Sequence, residues 1–237
     1  MNNKITFVSL GPGDPELITL KGFRILKESD VILCPATKGS DGELLSRAKD
    51  IVEALGVDIS KVECFVVPMS RDRRETLLRY EDVARKAFEL QKSGLKVAIT
   101  AEGDAGFYSS SQYVEEFVWG LGGESCRVAG VPAFIDCARR ANTHVVNQDS
   151  SFEVMARVES AEALLCEMSK DKSIVLMKIS QWEAAIKEAI ARSTSHDFYY
   201  IESCGVDAKE FFSRDKQEII ARKFPYFAIL IIKATIK

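Results

Sequence analysis

The sequence predicts an α/β protein made of two α/β domains, and three observations carry that prediction. Short apolar runs of strand length alternate with longer amphipathic stretches through the first half of the chain. A polar stretch poor in helix formers, Thr143 to Ser151, interrupts the alternation. The alternation then resumes and closes on a β-rich run, Tyr226 to Ile236. The expected domains are therefore residues 1–142 and 143–237. The first sheet should be mostly parallel, because strand–helix–strand connections bring parallel strands side by side.

Taken in order, Ile5 to Leu10 reads as a buried strand, followed by the turn Gly11-Pro12-Gly13-Asp14-Pro15. Asp14 suits an N-cap and Pro15 a first helical residue, with Leu17, Leu20, Ile25 and Leu26 as the apolar stripe. Val31 to Cys34 is a second strand closed by Pro35, and Glu43 to Ala54 a helix stopped at Gly56. Val62 to Val67 is a third strand, Arg74 to Lys92 a long helix, and Lys96 to Ala101 a fourth strand. A helix from about Ser109 to Trp119, a strand Cys126 to Ala129 and a helix Pro132 to Ala141 complete the first domain. The second holds Phe152 to Val158, a helix Ala161 to Met168, a strand Ser173 to Met177, a helix Trp182 to Ala191, a strand Phe198 to Glu202 and the closing run.

Composition narrows the function. With 32 basic and 35 acidic side chains the formal charge is -3, a poor basis for sequence-independent nucleic-acid binding. Hydrophobic residues at 46% and charged residues at 28% suit a chain that buries a core. The six cysteines form no CxxC pair, and with two histidines no zinc spacing arises, so reduced thiols and no metal site are expected. The first apolar run is short and ends in a turn, which predicts neither a signal peptide nor a membrane span and places the protein in the cytoplasm.

Two loops carry chemistry. Gly11-Pro12-Gly13 between a strand and a helix suggests a dinucleotide fold, but the third glycine is replaced by Glu16, and Asp30 precedes the second strand instead of ending it. A tight turn with a capped helix accounts for the local residues. It does not account for two glycines with two prolines, which leave a rigid, side-chain-poor loop beside the sheet with room for a large flat ligand. The segment Glu102-Gly103-Asp104-Ala105-Gly106-Phe107-Tyr108 directly follows an apolar strand, where open α/β sheets bind ligands. Asp104 can accept hydrogen bonds from a ligand or cap the next helix; local chemistry leaves both open.

Five segments in order resemble the tetrapyrrole methylases: the opening VSLGPGDPELITLKGFRILKESDVILCP, then EGDAGFYSS, VAGVPAFIDCARRAN, SIVLMK and KFPYFAILIIK. The likeness runs from about Ile5 to Lys233. Val67-Pro68-Met69-Ser70-Arg71-Asp72 resembles the branch that methylates precorrin-2 or cobalt-factor II at C-20. These substrates are rich in carboxylates, and Arg71, Arg73 and Arg74 suit bidentate carboxylate recognition, although the solvated start of a charged helix would look the same.

The resemblance implies two α/β domains with S-adenosylmethionine in the cleft between them, a homodimer, and direct methyl transfer to a carbon of the reduced tetrapyrrole, with S-adenosylhomocysteine as product. Cofactor contacts carry over to Gly103, Asp104, Phe107, Pro132, Ala133 and Met177, and also to Pro35, Pro225 and Ala228. Gly11, Pro12, Gly13 and Asp14 should border the tetrapyrrole, with Arg71 and Arg73 on its carboxylates. Asp104, Glu102 and Tyr108 are candidates for the base, Asp104 first. Two departures stand out. Ala105 occupies a position where the family usually has proline. In the third motif Ala129 and Pro132 replace the usual proline and hydroxyl residue. The alternatives are methylation at another tetrapyrrole position, on uroporphyrinogen or a later precorrin, and a divergent, non-catalytic homologue that binds the cofactor.

Overall fold

A computed structural model describes residues 4–39, 41–67 and 73–235. Cα packing divides the chain into two units, Met1–Ala133 and Phe134–Lys237.

The first unit is built on β1 (Ile5–Ser9), β2 (Val31–Lys38), β3 (Leu44–Leu45), β4 (Val62–Val66), β5 (Val97–Ala101) and β6 (Ser125–Val128). The main path runs β3-β2-β5-β1-β6, with β4 also paired to β2. The β1–β5, β1–β6, β2–β4 and β2–β5 pairs are parallel, and only β3 runs antiparallel to β2 among the described strands. Helices α1 (Leu20–Glu28), α2 (Arg47–Ala54), α3 (Arg73–Lys92) and α4 (Ser111–Gly120) supply the connections. Two apolar clusters result. One packs Phe7, Ile99, Ala84 and Val118 with the α3 and α4 side; the other packs Leu10, Leu26, Ile32 and Val52 with the α1 and α2 side. A sheet covered on both faces explains why β5 is buried at every position.

The second unit carries α5 (Ala133–Arg140) from its second residue onward, then β7 (Ser151–Met155), α6 (Ala161–Met168), β8 (Lys172–Met177), α7 (Glu183–Arg192), β9 (His196–Glu202), β10 (Phe211–Ser213), α8 (Lys216–Ala221) and β11 (Ala228–Ala234). Its sheet is ordered β10-β9-β11-β8-β7, with β7–β8 parallel and the other pairs antiparallel. The packing division precedes the expected boundary after residue 142 because the buried face of α5 belongs to this unit. Asp136, 2% exposed, accepts from Arg139 Nε at 2.6 Å and Cys204 Sγ at 3.1 Å, and Arg140 donates to Glu210 at 2.7 Å.

Three local expectations are corrected. Pro15–Leu17 forms a separate short 3-10 turn capped by Asp14, and α1 starts afresh behind Thr19, whose hydroxyl accepts from Gly22 N at 3.1 Å. The periodicity counted from Leu17 therefore does not run through, and Leu20 is 84% exposed instead of lying on the apolar stripe. Pro35 does not close β2. The β5 ladder stops at Leu33, so the missing N–H of Pro35 costs no β5 bond, and the strand continues along β4. The helix expected from Glu43 begins only at Arg47, because Leu44 and Leu45 pair with β2 and Ser46 caps α2.

Candidate active site

The carboxyl ends of β1, β5 and β6 are adjacent in the first sheet, and their loops are tied together by backbone bonds. Gly11 and Gly103 exchange two, Gly11 N to Gly103 O at 3.1 Å and Gly103 N to Gly11 O at 2.7 Å. Ser9, fully buried, donates from Oγ to Val128 O at 2.6 Å and accepts from Ala105 N at 2.8 Å. Asp104 accepts from Gly106 N at 2.8 Å with one oxygen and from Gly130 N at 2.7 Å with the other. Loops more than a hundred residues apart in sequence thus form one platform at the position where parallel sheets receive ligands.

Two glycines shape that platform for opposite reasons. A Cβ at Gly130 would lie 2.4 Å from Ser9 Cβ and 2.8 Å from Gly103 O, so the β6 loop packs there only without a side chain. At Gly103, with φ +68, a Cβ would meet only Ala133 N at 3.9 Å. The backbone of Gly103 is therefore bare on the side facing the start of α5.

The structure brings Gly11, Pro12, Gly13, Asp14, Glu102, Gly103, Asp104 and Ala133 to this one end of the sheet, with Pro132 preceding α5. The Glu102 carboxylate lies 3.5 Å from Arg47 Nε, and Arg47 Nη2 donates to Pro12 O at 3.4 Å. Burial pushes the Glu102 carboxyl above the ordinary range, Arg47 opposes that, and Asp50 adds to the rise. Phe107 is half-buried against Tyr108 in an edge-on contact, their centroids 4.9 Å apart. Tyr108 itself is exposed, with φ 49, and lines a cavity of about 280 Å³ with Gln112, Glu115, Trp119 and Arg127. Pro35 sits within β2, paired to Phe65, and its carbonyl accepts from Ser46 Oγ at 2.7 Å. Arg71 and the Pro-Met-Ser segment lie outside the described residues, as does the side chain of Arg73.

Within the second unit, Met177 ends β8 opposite Ile229, and Ala228 begins β11 opposite Glu202, so the two share one end of that sheet. Ser203 N donates to Phe227 O at 2.7 Å there. Ala228 is buried in the core, Met177 and Pro225 are half-buried, and Tyr226 and Phe227 are exposed.

The family model for Tetrapyrrole (Corrin/Porphyrin) Methylases matches residues 4–219. The chain belongs to this family. Its members use S-adenosylmethionine, and the protein is a methyltransferase dependent on that donor. Among relatives of tetrapyrrole methylase type, the cobalt-precorrin-2 C(20)-methyltransferase of Salmonella typhimurium is 29% identical over 98% of this chain and 97% of its own length. A probable cobalt-precorrin-2 C(20)-methyltransferase of Methanocaldococcus jannaschii is 27% identical over 84% of this chain and 80% of its own. In fold, the chain is similar to the uroporphyrin-III C-methyl transferase of Thermus thermophilus, solved in complex with S-adenyl homocysteine. That likeness has a TM-score of 0.66 and 17% identity, and covers 97% of this chain and 92% of the other.

At Ala105, where the resemblance to the tetrapyrrole methylases leads one to expect proline, the backbone N–H has a partner. Ala105 donates its N–H to Ser9, a bond that proline cannot make. For Ala129 and Pro132 nothing in the structure explains the replacement. Ser9, Gly130 and Arg47 escape a reading of the sequence. Ser9 leaves a faint signal, a hydroxyl in an otherwise apolar strand, and Gly130 a small residue in the third motif; Arg47 leaves none.

Proposed function

We propose that the protein transfers a methyl group from S-adenosylmethionine to C-20 of precorrin-2 or cobalt-factor II, a step in cobalamin biosynthesis. The observation that carries this reading is the end-to-end likeness to the Salmonella C(20)-methyltransferase, which spans 98% of this chain and 97% of that one. The same reading includes a homodimer in the cytoplasm.

The platform suits the donor. Gly103 presents bare backbone, Gly130 keeps the β6 loop close, and Ala133 opens α5 beside them. Gly103, Asp104 and Ala133 are assigned to the cofactor on this ground, and Phe107 and Pro132 with them by family resemblance. Met177, Pro225, Ala228 and Pro35 are assigned by family resemblance. When bound, S-adenosylmethionine supplies an electrophilic methyl on a sulfonium. The chain has to align the macrocycle carbon with that methyl and exclude water, and alignment of this kind is worth about 7–11 kcal/mol. The Gly11–Asp14 loop is assigned to the flat face of the tetrapyrrole, and Arg71 and Arg73 to its carboxylates.

After C–C bond formation the C-20 proton must leave, its electron pair returning to the macrocycle. Among Asp104, Glu102 and Tyr108, the first already binds two backbone N–H groups, which suits a holding role. Burial raises the Glu102 carboxyl, the direction that suits a proton acceptor. Glu102 is therefore the favoured base.

The test is a methyl-transfer assay offering precorrin-2 and cobalt-factor II separately, with the new methyl located by NMR and the mass of the protein measured by sedimentation. A C-20 methyl on either supports the reading and settles the metal question. A methyl elsewhere, or transfer only to uroporphyrinogen, would replace it. Cofactor binding without transfer to any of these would point to a non-catalytic homologue.

A further inference from the structure

Arg47 opens α2 and reaches two loops at once. Its Nε faces the Glu102 carboxylate at 3.5 Å, in the loop after β5, while Nη2 donates to Pro12 O at 3.4 Å, in the loop after β1. The helix under it is anchored to a third strand. Ser46 Oγ accepts from Lys49 N at 3.0 Å and donates to Pro35 O at 2.7 Å in β2. Both charged side chains are half-buried, 23% and 30% exposed, which limits screening by water. A planar guanidinium has donors in fixed directions and can hold two acceptors at a set spacing, whereas an ammonium cannot.

We infer that Arg47 is a positioning residue, fixing Glu102 relative to the Gly11–Pro15 loop so that the carboxylate and the substrate-facing backbone keep one geometry. The inference rests on the reading of these loops as the substrate site. The surroundings of Glu102 agree with it. Burial raises its carboxyl, Arg47 is the opposing charge, and Asp50, one turn along the same helix, adds to the rise.

The experiment compares the full-length wild type with Arg47→Met and Arg47→Lys, each first checked for folding by circular dichroism. The Glu102 carboxyl is titrated by carbon-13 NMR, assigned by its loss in Glu102→Gln. In Arg47→Met burial is unopposed, so the carboxyl should titrate about one pH unit higher, and the acidic limb of the kcat profile should move up with it. Arg47→Lys keeps the charge and loses the fork. It should leave the limb in place while raising KM for the tetrapyrrole about tenfold. An unchanged titration in Arg47→Met, or an unchanged KM in both variants, would overturn the inference. If Arg47→Met does not fold, Arg47→Gln supplies the uncharged comparison. Should the wild type methylate neither substrate, the proposed function fails, while the titration still decides whether Arg47 governs Glu102.

Discussion

Ala105 donates its backbone N–H to the hydroxyl of Ser9 at 2.8 Å, and Ser9 passes the bond on to Val128 O at 2.6 Å. Ser9 is fully buried, so loss of one partner leaves the other without compensation from water. Ala105→Pro, which removes that N–H, should destabilise the protein by about 1–3 kcal/mol. Ser9→Ala should cost a similar amount. Urea unfolding of both and of the double variant checks the coupling: the double variant should fall short of the sum.

Gly103 and Gly130 should respond differently to one added methyl. Gly130→Ala forces a Cβ into Ser9 and the Gly103 carbonyl, and should cost about 1–3 kcal/mol or displace the β6 loop. Gly103→Ala meets only an ordinary contact with Ala133 N and costs about 1–2 kcal/mol for its left-handed backbone. Its methyl stands where the cofactor is proposed to lie. Calorimetry with S-adenosylmethionine should therefore show a larger affinity loss, relative to the fall in stability, for Gly103→Ala than for Gly130→Ala.

Asp104 uses each carboxylate oxygen for a different loop, Gly106 N on one side and Gly130 N on the other. Asp104→Asn keeps one acceptor and turns an amide donor toward the remaining N–H. Unfolding should be easier by about 1–3 kcal/mol, and cofactor binding weaker. A variant of full stability and affinity but no turnover would return the base role to Asp104.

Acid should weaken the second unit through Glu202. Burial alone would raise this carboxyl, but the bidentate Arg222 bonds at 2.7 and 2.9 Å and the Tyr200 hydroxyl at 2.6 Å bring it below its ordinary 4.5. A carboxyl depressed on folding contributes stability that is fully present above its unfolded value. That stability is lost as pH falls through the folded value. Urea midpoints measured near neutrality and at about pH 3 should differ more for the wild type than for Glu202→Gln.

Much of the fold is legible from local pattern. The α6 helix occupies Ala161–Met168 as expected, β11 falls within the expected closing run, and β8 and β9 end where expected but start one and two residues earlier. What escapes is short or non-local. The three-residue β10 and six-residue α8 are too brief to show a period. Leu44 and Leu45 look helical until β2 offers them a partner.

The sequence by itself determined the family and the α/β alternation, and singled out the loops Gly11–Pro15 and Glu102–Tyr108 as candidates, because glycine, proline and acid at strand ends are local signals. Only the tertiary structure decided how those loops are joined. Ser9 meets Val128 and Ala105, Gly11 meets Gly103, and Arg47 meets both Pro12 and Glu102 across separations that leave no periodic trace. A hydrogen bond depends on where two atoms stand in space, and for residues distant in the chain that position exists only once the parallel sheet has set its strands side by side.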